Sequence, residues 1–383
     1  MLREKPTHPR SYQLIFERGI DPDVDDPEKC HSHSEIPEEW PSRDEILDYQ
    51  DRVRSRIRFV LEKPDLPQNR TLGEALWIAF EHEAMHLETF LYMLIQSERV
   101  SPPPGTSTPD FEGMFIAAQE SKKPNEWFAI PEQTLSVGLD CPEDSMPKAS
   151  FGWDNEIPKR TVTIPAFEAQ GRPITNDEYA VYLQENGLAE RPASWVETGR
   201  SNGDSKSSAL SDSLDDFAVR TVFGPVPFKF AQDWPVIASY EELERYASWM
   251  KCRLPTFEEA KSIYAHSARL KETVLDGKKD GIYGHSPTDK VTGGTINGYK
   301  KSNLKNGEVK QPVLAPSASS SPVFVDLSNC NVGFKNWHPT PVIQNGDKLA
   351  GHAEFGGVWE WTSSPMAEHD GFKSMEIYPG YSC

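Results

Sequence analysis

At 383 residues the chain is long enough for two domains of roughly 100–200 residues each, which excludes a single-core miniprotein. Its 40 Lys and Arg against 59 Asp and Glu leave a net charge of −19, and with no basic cluster longer than two residues this argues against a nucleic-acid partner. With 37% hydrophobic residues, 32 prolines and 25 glycines, the composition points to compact cores joined by long irregular connections.

The first 40 residues are broken up by Pro6, Pro9, Pro22, Pro27, Pro37 and Pro41 and predict little regular structure. Ser42 followed by Glu45 has the form of a capping box, and Ile46, Tyr49, Val53, Ile57, Val60 and Leu61 then recur at helical spacing, predicting an amphipathic helix over 43–62. After the turn at Pro64–Pro67, Thr71 and Glu74 offer a second capping box, and a run free of proline predicts a helix over 72–97. Two long helices with a short connection pack antiparallel, yet two do not close a four-helix core. Residues 98–124, with Pro102-Pro103-Pro104-Gly105, read as an interdomain linker. Beyond it, short β-prone runs at 128–130, 135–137, 160–164 and 323–327 alternate with turns and with helices at 176–184 and 240–250. The second domain is therefore expected to be α+β, with flexible insertions at 201–216 and 275–322.

Five cysteines (Cys30, Cys141, Cys252, Cys330 and Cys383) are scattered, odd in number and without a C-x-x-C spacing, unlike a secreted disulfide framework or a zinc knuckle. No signal-peptide profile and no apolar run of about 18 residues occurs. A soluble protein in a reducing, cytoplasmic compartment, with no membrane partner, is the expectation.

The sharpest chemical signal is Glu81-His82-Glu83-Ala84-Met85-His86-Leu87-Glu88 within the second helix. At about 100° per residue His82 and His86 stand ~40° apart and one turn from each other, so both imidazoles can reach one metal ion. Glu88 lies about 200° from His86 and is not placed to bind the same ion. The bland alternative is a pair of surface histidines among ordinary helix charges. His82-Glu83-x-x-His86 also matches the zinc-protease pattern, in which the glutamate activates a metal-bound water. Thr89 and Tyr92 stand where a metzincin would carry Gly and His, and the Pro-rich stretch follows where another zincin would supply a ligand glutamate, so hydrolysis is disfavoured. Further on, Gly357-Val358-Trp359-Glu360-Trp361-Thr362 predicts a strand with both tryptophans on one face and Glu360 on the other, more suited to packing than to chemistry.

Taken in order, His82-x-x-x-His86-x-Glu88, Pro173-Ile174-Thr175-Asn176-x-Glu178-Tyr179, Arg253-Leu254-Pro255-Thr256-x-x-Glu259, Asn331-Val332-Gly333-Phe334 and the Trp359-Glu360-Trp361 segment resemble the sulfoxide synthases of ergothioneine biosynthesis, most closely their fungal branch. The resemblance covers almost the whole chain. It implies an α+β chain with a partial DinB-like helical bundle over 1–97, a linker over 98–124, and a formylglycine-generating-enzyme (sulfatase-modifying factor), C-type-lectin-like domain over 125–383. It further implies a hercynine oxygenase: non-haem Fe(II) held by three histidines, with O₂ as co-substrate, joining the thiol of cysteine or γ-glutamylcysteine to C2 of the hercynine imidazole as a sulfoxide. Neutral imidazoles suit Fe(II), and three protein ligands leave positions open.

Carried over by position, His82 and His86 match two family ligands. The third family ligand lies upstream of anything here, and His8, His31 and His33 do not match its context. Met85 stands where bacterial relatives often place a substrate-contacting Gln. The tyrosines expected after the Trp-Thr segment are replaced by Pro365-Met366-Ala367-Glu368-His369, leaving His369 and Tyr381 as candidates for the acid. Family members continue past Tyr381, so the chain reads as an internal piece of a longer enzyme, incomplete at both ends and a poor catalyst alone. The alternatives are a formylglycine-generating-type oxidase, disfavoured by a His pair borne on a bundle helix, and a non-catalytic lectin-like binding module.

Overall fold

The computed structural model describes residues 7–16, 37–140, 151–198, 214–279, 330–350 and 357–375. The expected strand at 323–327, most of the two polar insertions, and Cys30, Cys141, Cys383, His31, His33 and Tyr381 lie outside the described residues. The chain forms two compact units, one of residues 1–83, 139–158 and 369–383, the other of 84–138 and 159–368. Each gathers segments far apart in sequence, and the first division falls between Glu83 and Ala84 rather than in 98–124.

In the first unit α1 (Ser11–Ile15) precedes α2 (Arg43–Leu61). The expected capping box opens α2: Ser42 Oγ accepts from Glu45 N, and Glu45 Oε2 accepts from Ser42 N at 2.9 Å, so two otherwise unsatisfied donors are paired reciprocally. Tyr12 meets Tyr49 edge to face at 5.1 Å, and Arg52 donates to the His8 carbonyl at 2.6 Å. α3 (Arg70–Leu94) begins two residues before the expected start. Its cap is Asn69, whose Oδ1 accepts from Leu72 N at 3.1 Å, and not Thr71, which is already inside the helix. The first turns of α3 pack on the returning segment, with Trp77 6.4 Å from Phe151 and 6.1 Å from Trp153. α2 buries no residue and α3 buries Leu72 and Ile78, in keeping with the expectation that two helices alone do not close a core. A cavity of about 230 Å³ remains between them, lined in part by Val53, Ile57, Leu72 and Leu76.

The second unit contains the observed strands. Among the described residues β1 (Trp127–Ile130) pairs with β4 (Phe167–Gln170), β2 (Gln133–Val137) with β3 (Arg160–Ile164), and β5 (Trp195–Glu197), β6 (Phe217–Val219) and β7 (Val226–Pro227) form a third sheet, all antiparallel. Helices α5 (Asn176–Glu185), α6 (Phe228–Ala231), α7 (Tyr240–Trp249) and α8 (Phe257–Lys279) complete it. The mixed helix and strand content agrees with the α+β expectation. α8 enters the stretch read as an insertion from residue 275, and the four-residue α6 is too short to leave a periodic signal.

The stretch read as a linker over 98–124 holds α4 (Phe111–Glu120). Asp110 Oδ1 caps it by accepting from Gly113 N at 2.9 Å, and Phe111, Met114, Phe115 and Ala118 recur at helical spacing. The surrounding prolines hid this short amphipathic pattern. Phe111 packs against Trp234 at 5.6 Å, and Phe115 against Phe230 at 6.2 Å, so α4 is seated on the core.

That core is aromatic. Tyr179, Tyr182, Leu183, Trp195, Phe228, Trp234 and Tyr246 are buried together, and a smaller cluster joins Leu135 and Ile164 to Ala265 of α8. At Gly346 two backbones touch: an added Cβ would overlap the Pro124 carbonyl, while Glu126 N donates to the Gly346 carbonyl at 3.0 Å. Because neither backbone can swing away, Gly346→Ala should destabilise the unit by roughly 1–3 kcal/mol, read as a lower urea midpoint with an unchanged slope.

Candidate functional site

α3 presents His82 and His86 one turn apart, about 40° around the axis, as the spacing requires. His82 is half-buried and His86 exposed; Met85, Glu81 and Glu88 are half-buried and Glu83 is exposed. Thr89 Oγ1 donates to the Met85 carbonyl at 3.0 Å, and the Phe90 ring lies 6.4 Å from that of His86. These histidines can offer two neutral nitrogen donors to a divalent metal.

Among the described residues a third donor is not brought to them. Among the described residues no group of three His, Cys, Asp or Glu is arranged to hold an ion. His8 stands ahead of α1, where its carbonyl accepts from Arg52. His369 belongs to the first unit, half-buried, with its ring 6.1 Å from Phe372 and its Nε2 buried without a hydrogen-bond partner. The donor set therefore fits Fe(II) in chemistry, through two imidazoles, and is incomplete in number among the described residues.

The motifs of the second unit turn out to build helix starts and turns. Thr175 caps α5 and its partner Glu178 is forked by Arg172, with both nitrogen–oxygen distances 2.9 Å. Arg253 forks Glu259 in the same way, with two distances of 2.7 Å, while Glu259 Oε2 accepts from Thr256 N at the start of α8. This bidentate hydrogen bonding, with the capping hydrogen bond, holds the Glu259 carboxyl below its ordinary range. In the Asn331 segment, Asn331 Nδ2 donates to the His338 carbonyl at 2.9 Å and Oδ1 accepts from Asn336 N at 3.1 Å. Gly357, with a φ of 81°, lies so close to Asn331 that a side chain there would collide.

The segment 357–364 is not a strand, contrary to the alternation read from its letters. It is laced to the unit by individual bonds instead: Trp361 Nε1 donates to the Ala238 carbonyl at 3.1 Å, Ser363 N to the Pro255 carbonyl at 2.8 Å, and Phe257 N to Ser364 Oγ at 2.9 Å. Trp359 and Trp361 are 80% and 51% exposed, so they do not pack the core as expected. Glu360 points to α8, where its Oε2 accepts from the Tyr264 hydroxyl at 2.5 Å. Although Glu360 as a residue is exposed, loss of water around its carboxylate raises its pKa, outweighing the opposing effect of the Tyr264 hydrogen bond. Burial, and then the Glu360 charge, push the Tyr264 phenol up. Tyr264 escaped the sequence reading because α8 itself did.

A second unforeseen residue is His338, buried against Phe111 at 5.1 Å, Trp234 at 5.8 Å and Phe223 at 6.1 Å. Its Nδ1 lies 2.7 Å from the Pro339 carbonyl, which can only accept, so Nδ1 carries the proton and Nε2 the lone pair. Burial lowers its pKa and keeps it neutral.

Comparison with known proteins agrees with this architecture. The chain is 45% identical to ergothioneine biosynthesis protein 1 of Neurospora crassa, over 99% of this chain and 46% of that protein. It is 28% identical to the Schizosaccharomyces pombe protein of the same name, over 96% and 41%. A hercynine oxygenase of Mycolicibacterium thermoresistibile is 26% identical, over 86% and 61%. The resemblance to the sulfoxide synthases of ergothioneine biosynthesis is thus borne out, and the chain spans less than half the length of the two fungal relatives. Residues 116–383 match the sulfatase-modifying factor enzyme 1-like domain, a stretch that takes in the second half of α4, every described strand, the Arg–Glu forks and the 357–364 segment. By that match across most of its length, the chain belongs to the sulfatase-modifying factor enzyme 1-like family.

Proposed function

We propose that the chain acts in ergothioneine biosynthesis as a non-haem iron(II)- and O₂-dependent sulfoxide synthase, joining the thiol of cysteine or γ-glutamylcysteine to C2 of the hercynine imidazole. The observation that carries this reading is the 45% identity to a protein named for that biosynthesis, in an alignment running through both α3 and the family-matched residues. α2 and α3 are read as part of a DinB-like bundle, and the compartment as cytoplasmic. No helix among the described residues is long and apolar enough to cross a membrane.

The reaction balances: a C–H and an S–H bond are lost, a C–S bond and an S–O bond form, and the other oxygen atom of O₂ leaves as water. His82 and His86 would hold the iron, which supplies the redox exchange with O₂ when bound. The chain's own task is to offer each imidazole with one ring-nitrogen lone pair on the metal side and the other ring nitrogen as an N–H donor. Half-buried Met85, between the two histidines in sequence, is the residue proposed to contact substrate.

Metal exchange tests this reading. In a polypeptide as long as the fungal relatives, Fe(II) should support O₂-dependent sulfoxide formation and Zn(II), which has no accessible redox change, should not. Peptide hydrolysis with Zn(II) and no O₂ uptake would overturn it in favour of a protease. Glu83 also separates the two readings. In the oxygenase Glu83 is no water-activating base, so Glu83→Gln should lower kcat far less than the roughly 10²–10⁴-fold typical of losing one.

A further inference from the structure

We propose that His338 is an acid-sensitive pin: uncharged, it completes the aromatic seat of α4, and on taking up a proton it releases that helix from the core. The device lies wholly within the second unit and does not involve the α3 histidines. His338 is 7% exposed and is enclosed by rings from three separate places: Phe111 in the first turn of α4, T-shaped at 5.1 Å, Phe223 before β7 at 6.1 Å, and Trp234 after α6 at 5.8 Å. Its backbone is fixed as well, because the His338 carbonyl accepts from Asn331 Nδ2. Of the pieces around this ring α4 is the least anchored. Phe111 is half-buried and α4 buries Ala118 alone, whereas Trp234 is fully buried.

A proton on Nε2 would place a full charge among these rings, since Nδ1 already carries one proton and donates it to the Pro339 carbonyl. Burying an unpaired charge is strongly unfavourable, and among the described residues no counter-charge acts on it. Asp110 and Glu112, on either side of Phe111, are exposed. Asp233, next to Trp234, has its carboxyl bound by Gln119 and feels the charges of Lys122, Asp177 and Arg172. Arg220 and Lys335, the nearest charged residues along the chain to Phe223 and His338, are cations. Burial lowers the His338 pKa, and the Pro339 hydrogen bond offsets this only in part. The imidazole therefore binds a proton more readily once its seat opens. Stability contributed by neutral His338 is complete above the ordinary histidine value of about 6.5 and is lost as pH falls from there to the lowered folded value. Asp233 acts in the opposite sense, because burial raises its pKa and acid favours its folded form. The smallest rearrangement that relieves a charged His338 is local, with Phe111 lifting out and α4 following.

The test uses the full 383-residue chain, with NMR of isotopically labelled imidazoles and amide hydrogen exchange followed as the pH is lowered. The His338 signal, assigned by its loss in His338→Phe, should titrate below the ordinary histidine range. Protection of the α4 amides, corrected for intrinsic exchange, should fall in the parent by up to about tenfold per pH unit below about 6.5. It should stay level in His338→Phe, whose ring fills the box and does not titrate. The amides of β6 should keep their protection throughout, which separates release of α4 from unfolding of the whole unit. Should His338→Phe fail to fold, His338→Asn takes its place, since it keeps a donor for the Pro339 carbonyl and carries no charge. A His338 imidazole titrating at or above the ordinary value overturns the proposal. So does α4 protection that is independent of pH in the parent, that falls equally in the uncharged variant, or that falls in step with β6.

Discussion

Replacing His86 with alanine should abolish Fe(II)-dependent sulfoxide formation, and His82→Ala should do the same, in a polypeptide as long as the fungal relatives. Each change removes one of two imidazoles that stand one turn apart on α3. Iron(II) sits low in the affinity order of divalent metals, so a site deprived of a ligand loses occupancy as well as reactivity. The loss of affinity should exceed the roughly 10–100-fold that follows removal of an outer partner. Glu83→Gln on the same helix face region is the internal comparison, because it keeps both imidazoles. Anaerobic iron loading followed by single-turnover product analysis would check the pattern. A Glu83→Gln defect as deep as that of His86→Ala would assign the glutamate a role that the oxygenase reading denies it. Retained metal stoichiometry in Glu88→Ala is expected as well, since Glu88 lies about 200° around the helix from His86.

The largest loss of stability should follow Trp234→Ala. Trp234 is fully buried in the aromatic cluster of the second unit, with Phe111 of α4 5.6 Å away and His338 5.8 Å away. Truncation removes the transfer energy of the indole and leaves a cavity that rigid rings fill poorly, costing roughly 3–5 kcal/mol. The Trp234 carbonyl also accepts from Asn176 N at 3.0 Å, at the first residue of α5, so collapse around the cavity would disturb the start of that helix. Chemical denaturation followed by tryptophan fluorescence should show the lower midpoint. A variant as stable as the parent would mean that the site repacks and that the cluster is not the centre of the unit.

What could be read from the sequence was local. The capping box at Ser42 and Glu45 and the three strand runs at 128–130, 135–137 and 160–164 depend on neighbours in the chain, and they appear within a few residues of where the letters place them. Thr71 misled because Asn69, two residues earlier, is an equally good cap by residue type and equally local, and it is Asn69 Oδ1 that accepts from Leu72 N. α4 was lost among prolines, and α8 behind a polar continuation. The Trp359-Glu360-Trp361 letters alternate as a strand would, but the segment is fixed by hydrogen bonds to residues more than 90 positions away, such as Tyr264 and Ala238. No periodicity encodes those partners. The His pair was legible for the opposite reason: its geometry is set entirely by one helix. Neither a third donor nor the proton source has that property.

The most direct test of the central claim is the fate of the oxygen atoms. Hercynine and cysteine would be incubated under isotopically labelled O₂ with the Fe(II)-loaded polypeptide, as long as the fungal relatives, and the product analysed by mass spectrometry. The account predicts a hercynine–cysteine sulfoxide joined at C2, with labelled oxygen on sulfur, formed in amounts that follow iron content and absent from His82→Ala and His86→Ala. An unlabelled oxygen on sulfur, or the same product yield from the histidine variants, would contradict it.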